Sequence, residues 1–402
     1  MKSPPGTRAP PYDAKAINDT IERALASAGL DTSSGPMRDV TETIRRALDP
    51  DGAASAATAA APDDGSVIDV EATVVGSEEA PVSAKAPAAD PVPASEKVAP
   101  QPPGSFLRHE FRHSAGSRPY KLYIPTRVQE SPPLVVMLHG CTQSADDFAV
   151  GTRMNRLADK HGFLVVYPEQ TAQANASKCW NWFKPQDQAR GRGEPSLIAG
   201  IVGEVAQRHG VATGRIFVAG LSAGAAMAVV MGEAYPELFA GVGVHSGLAF
   251  GSAKDVPSAM AKMKGGRSGM PGMKNVSADL ARSGGQATRA VPTIVFHGDR
   301  DHTVQQSNAA EVVKQAIQAH ASGPGAKALT ESTQTGEARG GRRYSRTVHT
   351  DDAGQVVIES WVLHGAGHAW SGGDARGTYT DGVGPDASAE MVRFFLALPV
   401  AR

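Results

Sequence analysis

The sequence predicts an α/β fold that begins at about residue 105, with a mostly parallel central sheet and helices on both faces. Three observations support this prediction. First, continuous runs of β-branched and apolar residues alternate with helical patterns, as expected for strands buried on both faces. Second, residues before 105 hold few large apolar side chains, and Tyr12 is their only aromatic residue. Third, the motif GLSAG at 220–224 joins a predicted strand to a predicted helix.

The predicted elements follow one another in the order of an open parallel sheet. Strands are predicted at 120–124, 134–138, 163–167, 215–219, 240–244 and 293–297. Helices are predicted near 147–161, 196–209, 223–234, 308–320 and 387–397. Two late strands, near 344–349 and 356–363, flank the turn-like TDDAGQ and predict a hairpin.

The N-terminal quarter differs in composition from the rest of the chain. Residues 1–100 hold 9 Lys and Arg against 16 Asp and Glu, whereas the remaining 302 residues hold 31 and 25. Two short amphipathic patterns predict a helical appendage over 1–49. Its residues 13–49 are a candidate docking element for a granule surface or a protein partner. The alternative is a frayed appendage with residual helicity. Residues 50–104 are rich in Ala, Pro and acidic residues, which predicts a disordered linker.

The folded domain is expected over 105–402, with one interruption. Residues 251–290 are rich in Gly, Ser, Met and Lys, and they leave the sheet after one strand and return before the next. Methionine suits adaptable apolar contact, so this segment is a candidate cap over a site. The alternative is an ordinary surface insertion.

Charge and composition exclude several classes of protein. The 40 Lys and Arg balance 41 Asp and Glu, which argues against nucleic-acid binding or a polybasic membrane anchor. No apolar run is long enough to predict a transmembrane helix. The start, MKSPPGTRAPPYDAK, lacks the apolar stretch of a secretory signal, so we expect a cytoplasmic protein, with export by another route left open. We expect no metal and no organic cofactor, and two cysteines exclude a cysteine-only zinc site.

The strongest local motif is Gly220-Leu221-Ser222-Ala223-Gly224. A sharp strand–turn–helix connection of this kind exposes the central serine, and its glycines allow strand and helix to approach closely. The motif predicts Ser222 as a nucleophile. It also predicts the Ala223 N–H as one donor to the oxyanion that forms when a serine attacks an ester.

A serine hydroxyl needs a base, and on this type of fold the chain order is Ser, then an acid, then His. The acid is predicted to be Asp301, which has the G-x-x-D-x-x-V placement. Asp299 is the alternative, and its other role would be hydrogen bonding within the turn or positioning of the loop. The base is predicted to be His368, in a Gly-rich loop after the last long strand. His364 is expected to be structural.

The loop after the strand at 134–138 is expected to supply the second oxyanion donor. We assign that donor to the Cys141 N–H, and we expect Gln143 in the same loop to contact the substrate. Cys141 and Cys179 are predicted to lie on loops at the same end of the sheet. A disulfide between them is feasible, but without a recognised signal sequence we expect two reduced thiols.

Aromatic residues are concentrated in CWNWF at 179–183. Trp180 and Trp182 are predicted to line an apolar wall for the substrate, together with Trp370, which lies two residues after His368. The alternative is that these side chains anchor their loop to the body of the protein.

Five motifs together resemble the polyhydroxybutyrate depolymerase-like esterase family, a group of α/β-hydrolases that also includes feruloyl and acetylxylan esterases. The resemblance covers roughly 105–400 and rests on LHGCTQ, ANASKCWNWF…RGRGEPSLIAGIV, GLSAG, HGDRD and GAGHAW. It implies Ser222 as nucleophile, Asp301 as acid, His368 as base and the Cys141 N–H in the oxyanion hole.

The resemblance also implies an activity, namely hydrolysis of poly- or oligo-(3-hydroxybutyrate) or related short-chain esters through an acyl-enzyme. One alternative keeps the chemistry but changes the substrate to a feruloyl or acetyl ester of carbohydrate. A second alternative, motivated by the N-terminal appendage, is a granule-associated binding protein whose hydrolase domain is a passive scaffold.

Overall fold

The computed structural model describes residues 104–266, 289–322 and 328–400. The predicted helical appendage over 1–49 and nearly all of the predicted linker therefore lie outside the described residues. Twelve strands lie in the described part of the chain. In order they are β1 (Ser105–His113), β2 (Gly116–Ile124), β3 (Leu134–Leu138), β4 (Leu164–Pro168), β5 (Ile216–Leu221), β6 (Gly241–His245), β7 (Thr293–Gly298), β8 (Thr330–Glu337), β9 (Arg343–Thr350), β10 (Val356–Leu363), β11 (Trp370–Ser371) and β12 (Thr380–Asp381).

Ten of these strands form one mixed sheet in the order β1-β2-β4-β3-β5-β6-β7-β10-β9-β8. The six central strands, β4 to β10 in that order, are parallel to one another. On one side of these six strands the sheet continues with β2 and β1, and on the other side with β9 and β8. All of these added strands pair antiparallel to their neighbours. The predicted α/β fold with a mostly parallel central sheet is therefore confirmed.

Seven α-helices lie in the described part of the chain. They are α1 (Ala145–Thr152), α2 (Met154–His161), α3 (Gly193–His209), α4 (Ala223–Ala234), α5 (Val256–Met263), α6 (Ser307–Ser322) and α7 (Ala387–Ala397). Side chains of α3, α4 and α6 pack on one face of the sheet, and those of α1, α2 and α7 pack on the other. Each central strand is buried on both faces, as in β3, where Leu134 and Val136 face one cluster and Val135 and Met137 the other. None of the described helices is long and apolar enough to cross a membrane.

The structure adds elements that the sequence patterns do not predict, chiefly β1, β8 and the short helix α5. Helix α5 lies in the predicted cap segment, and Asp255 caps it by accepting from the Ser258 N–H. Residues 267–288, the larger part of that segment, lie outside the described residues. Whether 251–290 covers the site therefore remains a prediction.

Candidate active site

The three residues predicted to form a catalytic triad lie beyond the ends of three parallel strands. Ser222 directly follows β5, Asp301 follows β7 and His368 follows β10. The strands β5, β6, β7 and β10 are consecutive neighbours in the sheet. Carboxyl ends of parallel strands meet at one edge of a sheet, so all three residues lie along the same edge.

Ser222 has a backbone conformation that few non-glycine residues adopt, with φ 58° and ψ −120°. A Cβ atom at Gly220 would lie 2.4 Å from the Gly224 carbonyl carbon, and one at Gly224 would lie 2.1 Å from the Leu138 oxygen. Both glycines are therefore required by the close approach of β5, α4 and β3. The Ser222 N–H donates to the His245 oxygen at 2.9 Å, which fixes the turn against β6. Backbone strain of this kind persists only where the surroundings hold it, and it is common at active sites.

Asp301 and His368 form the shortest carboxylate–imidazole contact at this edge. His368 Nδ1 lies 2.7 Å from Asp301 Oδ2, and the aspartate side chain is completely buried. The other carboxylate oxygen accepts from the N–H groups of Thr303 and Val304 at 2.9 and 2.8 Å. Burial raises the pKa of Asp301, but the hydrogen bond and charge of His368 and the Val304 N–H outweigh it and lower the pKa overall. An ionised carboxylate accepts only, so Nδ1 of His368 donates in this bond and Nε2 is the ring nitrogen left for another partner.

The Ser222 hydroxyl does not cap the helix that it precedes. Ser222 is 8% exposed, and its side chain makes no capping hydrogen bond to α4. Within the described residues, no hydrogen bond joins this hydroxyl to His368. The serine–histidine distance is commonly longer in free enzymes than in their substrate complexes.

Asp299, the alternative acid, pairs with a different histidine. Its Oδ2 lies 3.0 Å from His364 Nδ1, and its Oδ1 accepts from the Gly365 N–H at 2.7 Å. His364 Nε2 in turn lies 2.9 Å from Ser345 Oγ. This pair therefore holds the start of the loop that carries His368, as the alternative role for Asp299 predicts.

Of the two predicted oxyanion donors, Cys141 lies on the loop after β3 and Ala223 is the first residue of α4. In the part of the chain that the structure describes, neither the Cys141 N–H nor the Ala223 N–H donates to another protein group. Gln143 fixes the first loop, because its Oε1 accepts from the Gly140 N–H at 2.9 Å while its Nε2 donates to Asp147 at 2.8 Å. Gln143 is only 3% exposed, so it positions this loop and does not offer the substrate contact that the sequence predicts.

Cys141 and Cys179 form a disulfide, with their Cα atoms 4.2 Å apart. The expectation of two reduced thiols was therefore wrong. That expectation depended on cellular compartment, whereas the pairing follows from proximity: the Thr142 N–H donates to the Ser177 oxygen at 2.7 Å and brings the two loops together. The disulfide attaches the proposed oxyanion loop covalently to the aromatic segment.

His139, the residue before Gly140, also holds this loop in place. Its Nδ1 lies 2.7 Å from the Gly140 oxygen, and its Nε2 accepts from the Gln170 N–H at 3.0 Å. The pKa of His139 is lowered to about 4, mainly by burial and also by the charges of Lys178 and Arg118, while the hydrogen bond with the Gly140 carbonyl opposes the shift. The ring is therefore neutral at physiological pH, with its hydrogen on Nδ1.

The three predicted wall tryptophans are buried. Trp180 is 0%, Trp182 5% and Trp370 1% exposed. Trp180 Nε1 donates to the His139 oxygen at 3.1 Å, and Trp370 Nε1 donates to Ser388 Oγ at 3.1 Å. These side chains anchor their segments, as the alternative held, and do not form the exposed wall that the sequence predicts.

The sequence patterns gave no role to the loop between β11 and β12. Asp147 accepts from the Thr378 N–H at 2.9 Å and from its hydroxyl at 2.6 Å, which holds this loop against α1. Tyr379, the next residue, is 48% exposed at the same edge as Ser222. An exposed aromatic residue on an irregular loop carries no periodic signal, so only the three-dimensional arrangement identifies it.

Among the described residues, no group of three or more His, Cys, Asp or Glu side chains is placed to hold a metal ion.

Comparison with known proteins gives the same fold and family. The acetyl xylan esterase from Aspergillus awamori matches 73% of this chain and 100% of its own at 22% identity, with a TM-score of 0.58. At that identity, the likeness shows a shared fold.

Two curated relatives are similar in sequence. Poly(3-hydroxyalkanoate) depolymerase C of Paucimonas lemoignei is 34% identical over 251 residues, which are 61% of this chain and 57% of that protein. Feruloyl esterase B of Thermothelomyces thermophilus is 30% identical over 200 residues, which are 48% of this chain and 67% of that protein. The chain thus spans little more than half the length of the depolymerase that it matches.

The family model described as "Esterase PHB depolymerase" matches residues 118–340, which is more than half of the chain. The match includes the GLSAG turn, the disulfide loops and both candidate aspartates. This chain therefore belongs to the esterase PHB depolymerase family.

Proposed function

We propose that this chain is a serine carboxylic ester hydrolase. The observation that carries the proposal is the hydrogen-bonded Asp301–His368 pair, in which His368 Nε2 has no partner among the described residues, at the edge that also carries the strained Ser222 turn. A serine, an oriented imidazole and a buried carboxylate are the three parts that acyl transfer needs.

In the proposed mechanism, Ser222 Oγ attacks the ester carbonyl carbon while His368 Nε2 takes the hydroxyl proton. The Cys141 and Ala223 N–H groups donate to the carbonyl oxygen as it becomes an oxyanion. The bond to the alcohol oxygen then breaks, and His368 returns the proton to the leaving alcohol. Water repeats the same steps on the acyl-enzyme and releases the acid, with Asp301 holding the imidazole throughout.

The Ser222→Ala variant tests this proposal. The alanine removes only the hydroxyl, so the protein should fold with an unchanged circular dichroism spectrum and melting temperature. Hydrolysis of p-nitrophenyl butyrate should fall by roughly 10⁴-fold or more. A matched control is Ser345→Ala. This variant removes the hydroxyl that contacts His364, the partner of Asp299, and it should keep most of the activity. Near-wild-type activity of Ser222→Ala would contradict the proposal.

For the substrate, we propose poly- or oligo-(3-hydroxybutyrate) or related short-chain esters. The support is the similarity to a poly(3-hydroxyalkanoate) depolymerase over 61% of this chain. A carbohydrate ester of the feruloyl or acetylxylan type is the second candidate, supported by the similarity to a feruloyl esterase over 48%. Comparing kcat/KM on a hydroxybutyrate trimer with that on methyl ferulate separates the two.

We also propose that residues 13–49 dock the protein on a granule surface or a protein partner. The support is the amphipathic pattern of that segment alone. Co-sedimentation with amorphous polyhydroxybutyrate granules, comparing the full chain with a variant that lacks 13–49, tests the idea. Equal sedimentation of the two proteins would remove it.

For the cellular location, we propose an oxidising compartment in preference to the cytoplasm that the sequence predicts. Disulfides persist mainly in oxidising compartments, so the Cys141–Cys179 bond favours such a compartment. Rapid alkylation of thiols in intact cells, followed by mass spectrometry, measures whether the two cysteines are modified. Alkylated cysteines would support the cytoplasm, and unmodified, disulfide-linked ones would support an oxidising compartment.

A further inference from the structure

Tyr379 connects the two sides of the candidate active site. Its backbone oxygen accepts from the Trp370 N–H at 2.7 Å, two residues after His368. Its phenol oxygen lies 3.4 Å from Thr142 Oγ1, one residue after Cys141. The residue thus lies between the loop of the proposed base and the loop of a proposed oxyanion donor, with its side chain 48% exposed.

The ring is held in place by a strained backbone. Tyr379 has φ 52°, a left-handed conformation that is costly for an aromatic residue and natural for glycine. The preceding Thr378 is fixed by Asp147, and its oxygen also accepts from Gln143 Nε2 at 3.1 Å. A loop clamped in this way presents the ring in one position, which is what a preorganised binding residue requires.

The phenol hydrogen of Tyr379 is available to a ligand. The Thr142 hydroxyl already donates its hydrogen to the Cys141 oxygen at 2.6 Å. In the 3.4 Å contact between the two hydroxyls, Tyr379 is therefore the donor, and this distance is long for an O–H···O bond. A better acceptor that enters the site takes this hydrogen at little cost.

We infer that Tyr379 is a substrate-binding residue that selects esters with a second oxygen close to the scissile carbonyl. Its hydroxyl donates to that second oxygen, which in a 3-hydroxyacyl ester is the 3-hydroxyl or the next ester group. Its ring covers the carbon chain between the two oxygens. The inference rests on the proposed function, since it assigns the substrate class of the same site.

A pair of substrates that differ by one hydroxyl tests the inference: p-nitrophenyl 3-hydroxybutyrate and p-nitrophenyl butyrate. In the full-length Tyr379→Phe variant, kcat/KM on the 3-hydroxybutyrate should fall roughly 3- to 10-fold, the value of one neutral hydrogen bond. On the butyrate it should stay within roughly 2-fold, since no hydrogen bond is lost there. Val128→Ala is the control, because Val128 is 44% exposed in the loop at the opposite edge of the sheet. It should change neither rate.

A second variant separates substrate binding from a structural role. Tyr379→Gly removes the ring and relieves the left-handed backbone, so its melting temperature should equal or exceed that of the wild type. Its kcat/KM should fall on both esters by roughly 10-fold, mainly through KM, because the apolar ring is gone.

Three results would overturn the inference: equal loss on both esters in Tyr379→Phe, full activity of Tyr379→Gly on both esters, or a lower melting temperature of Tyr379→Gly. A wild-type protein that hydrolyses neither ester would overturn the proposed function, and the inference with it. If the wild type hydrolyses the esters but Tyr379→Phe loses the same fraction of kcat/KM on both, only the inference would be overturned.

Discussion

Two aspartate–histidine pairs lie side by side in this protein, and they differ in burial. Both aspartates lie in the turn after β7, and both histidines lie in the loop after β10. In Asp301–His368 the carboxylate is 0% and the ring 13% exposed, whereas in Asp299–His364 the values are 34% and 37%. The distances are similar, 2.7 and 3.0 Å. Distance alone therefore does not distinguish a proposed catalytic pair from a structural one.

The distinction lies in what the second ring nitrogen contacts. His364 Nε2 is already engaged by Ser345 Oγ, which completes a second Ser–His–Asp series. Ser345, however, lies within strand β9, opposite Thr335 on β8 and Val362 on β10. A serine in a paired strand has neither the sharp strand–helix turn nor the adjacent free N–H that Ser222 has. Three hydrogen-bonded side chains are thus not sufficient for nucleophilic catalysis.

The largest expected contrast comes from replacing each histidine. His368→Ala should lower kcat/KM on p-nitrophenyl butyrate by roughly 10⁴- to 10⁶-fold, because the proton acceptor is lost. His364→Ala removes partly exposed hydrogen bonds and should cost less than roughly 10-fold. Comparable losses in the two variants would contradict the division of roles.

A pH titration of stability extends the comparison to histidines that lack a carboxylate partner. Burial lowers the pKa of His139 to about 4 and, with the charges of His297 and His368, that of His245 to about 3. In the unfolded chain a histidine takes up a proton near pH 6.5. The unfolded state therefore binds more protons below that pH, and the free energy of unfolding falls as the pH drops from about 6.5 to about 4.

The loss should be about 3 kcal/mol for His139 between these pH values. Urea unfolding of the wild type and of His139→Gln at a series of pH values measures it. The variant should be less stable at pH 7 and should show a shallower dependence on pH. Identical slopes for the two proteins would show that His139 is not held neutral.

The smallest effect is expected from Ser345→Ala. This variant removes the 2.9 Å contact to His364 and should lower the free energy of unfolding by about 1 kcal/mol, with kcat/KM changed less than roughly 3-fold. Thermal unfolding and the p-nitrophenyl butyrate assay measure the two quantities. A loss of activity as large as that of Ser222→Ala would identify Ser345 as the nucleophile.

The sequence predicts the parts of this protein whose patterns are local. The central strands are continuous apolar runs, and the Ser222 turn carries its glycines at fixed positions. Strand β8 (TESTQTGE) is almost entirely exposed, so it has no buried face to produce a pattern, and only pairing with β9 defines it. Strand β1 is similarly polar and half-exposed.

Site features that depend on tertiary contacts were not predictable in the same way. Trp180 is buried because its loop packs over His139, and the Cys141–Cys179 pairing depends on where two distant loops meet. The choice between Asp299 and Asp301 rested on motif spacing. The structure adds the physical distinction, which is that Asp301 is buried, accepts two backbone N–H groups and contacts the less exposed histidine.

The central claim is that the buried pair orients the base for Ser222 whereas the exposed pair positions the loop. The most direct test is kcat/KM on p-nitrophenyl butyrate for Asp301→Asn and Asp299→Asn, measured side by side with their melting temperatures. We predict a loss of roughly 10³- to 10⁴-fold for Asp301→Asn and less than roughly 10-fold for Asp299→Asn. An equal or larger loss for Asp299→Asn, with both proteins folded, would contradict the account.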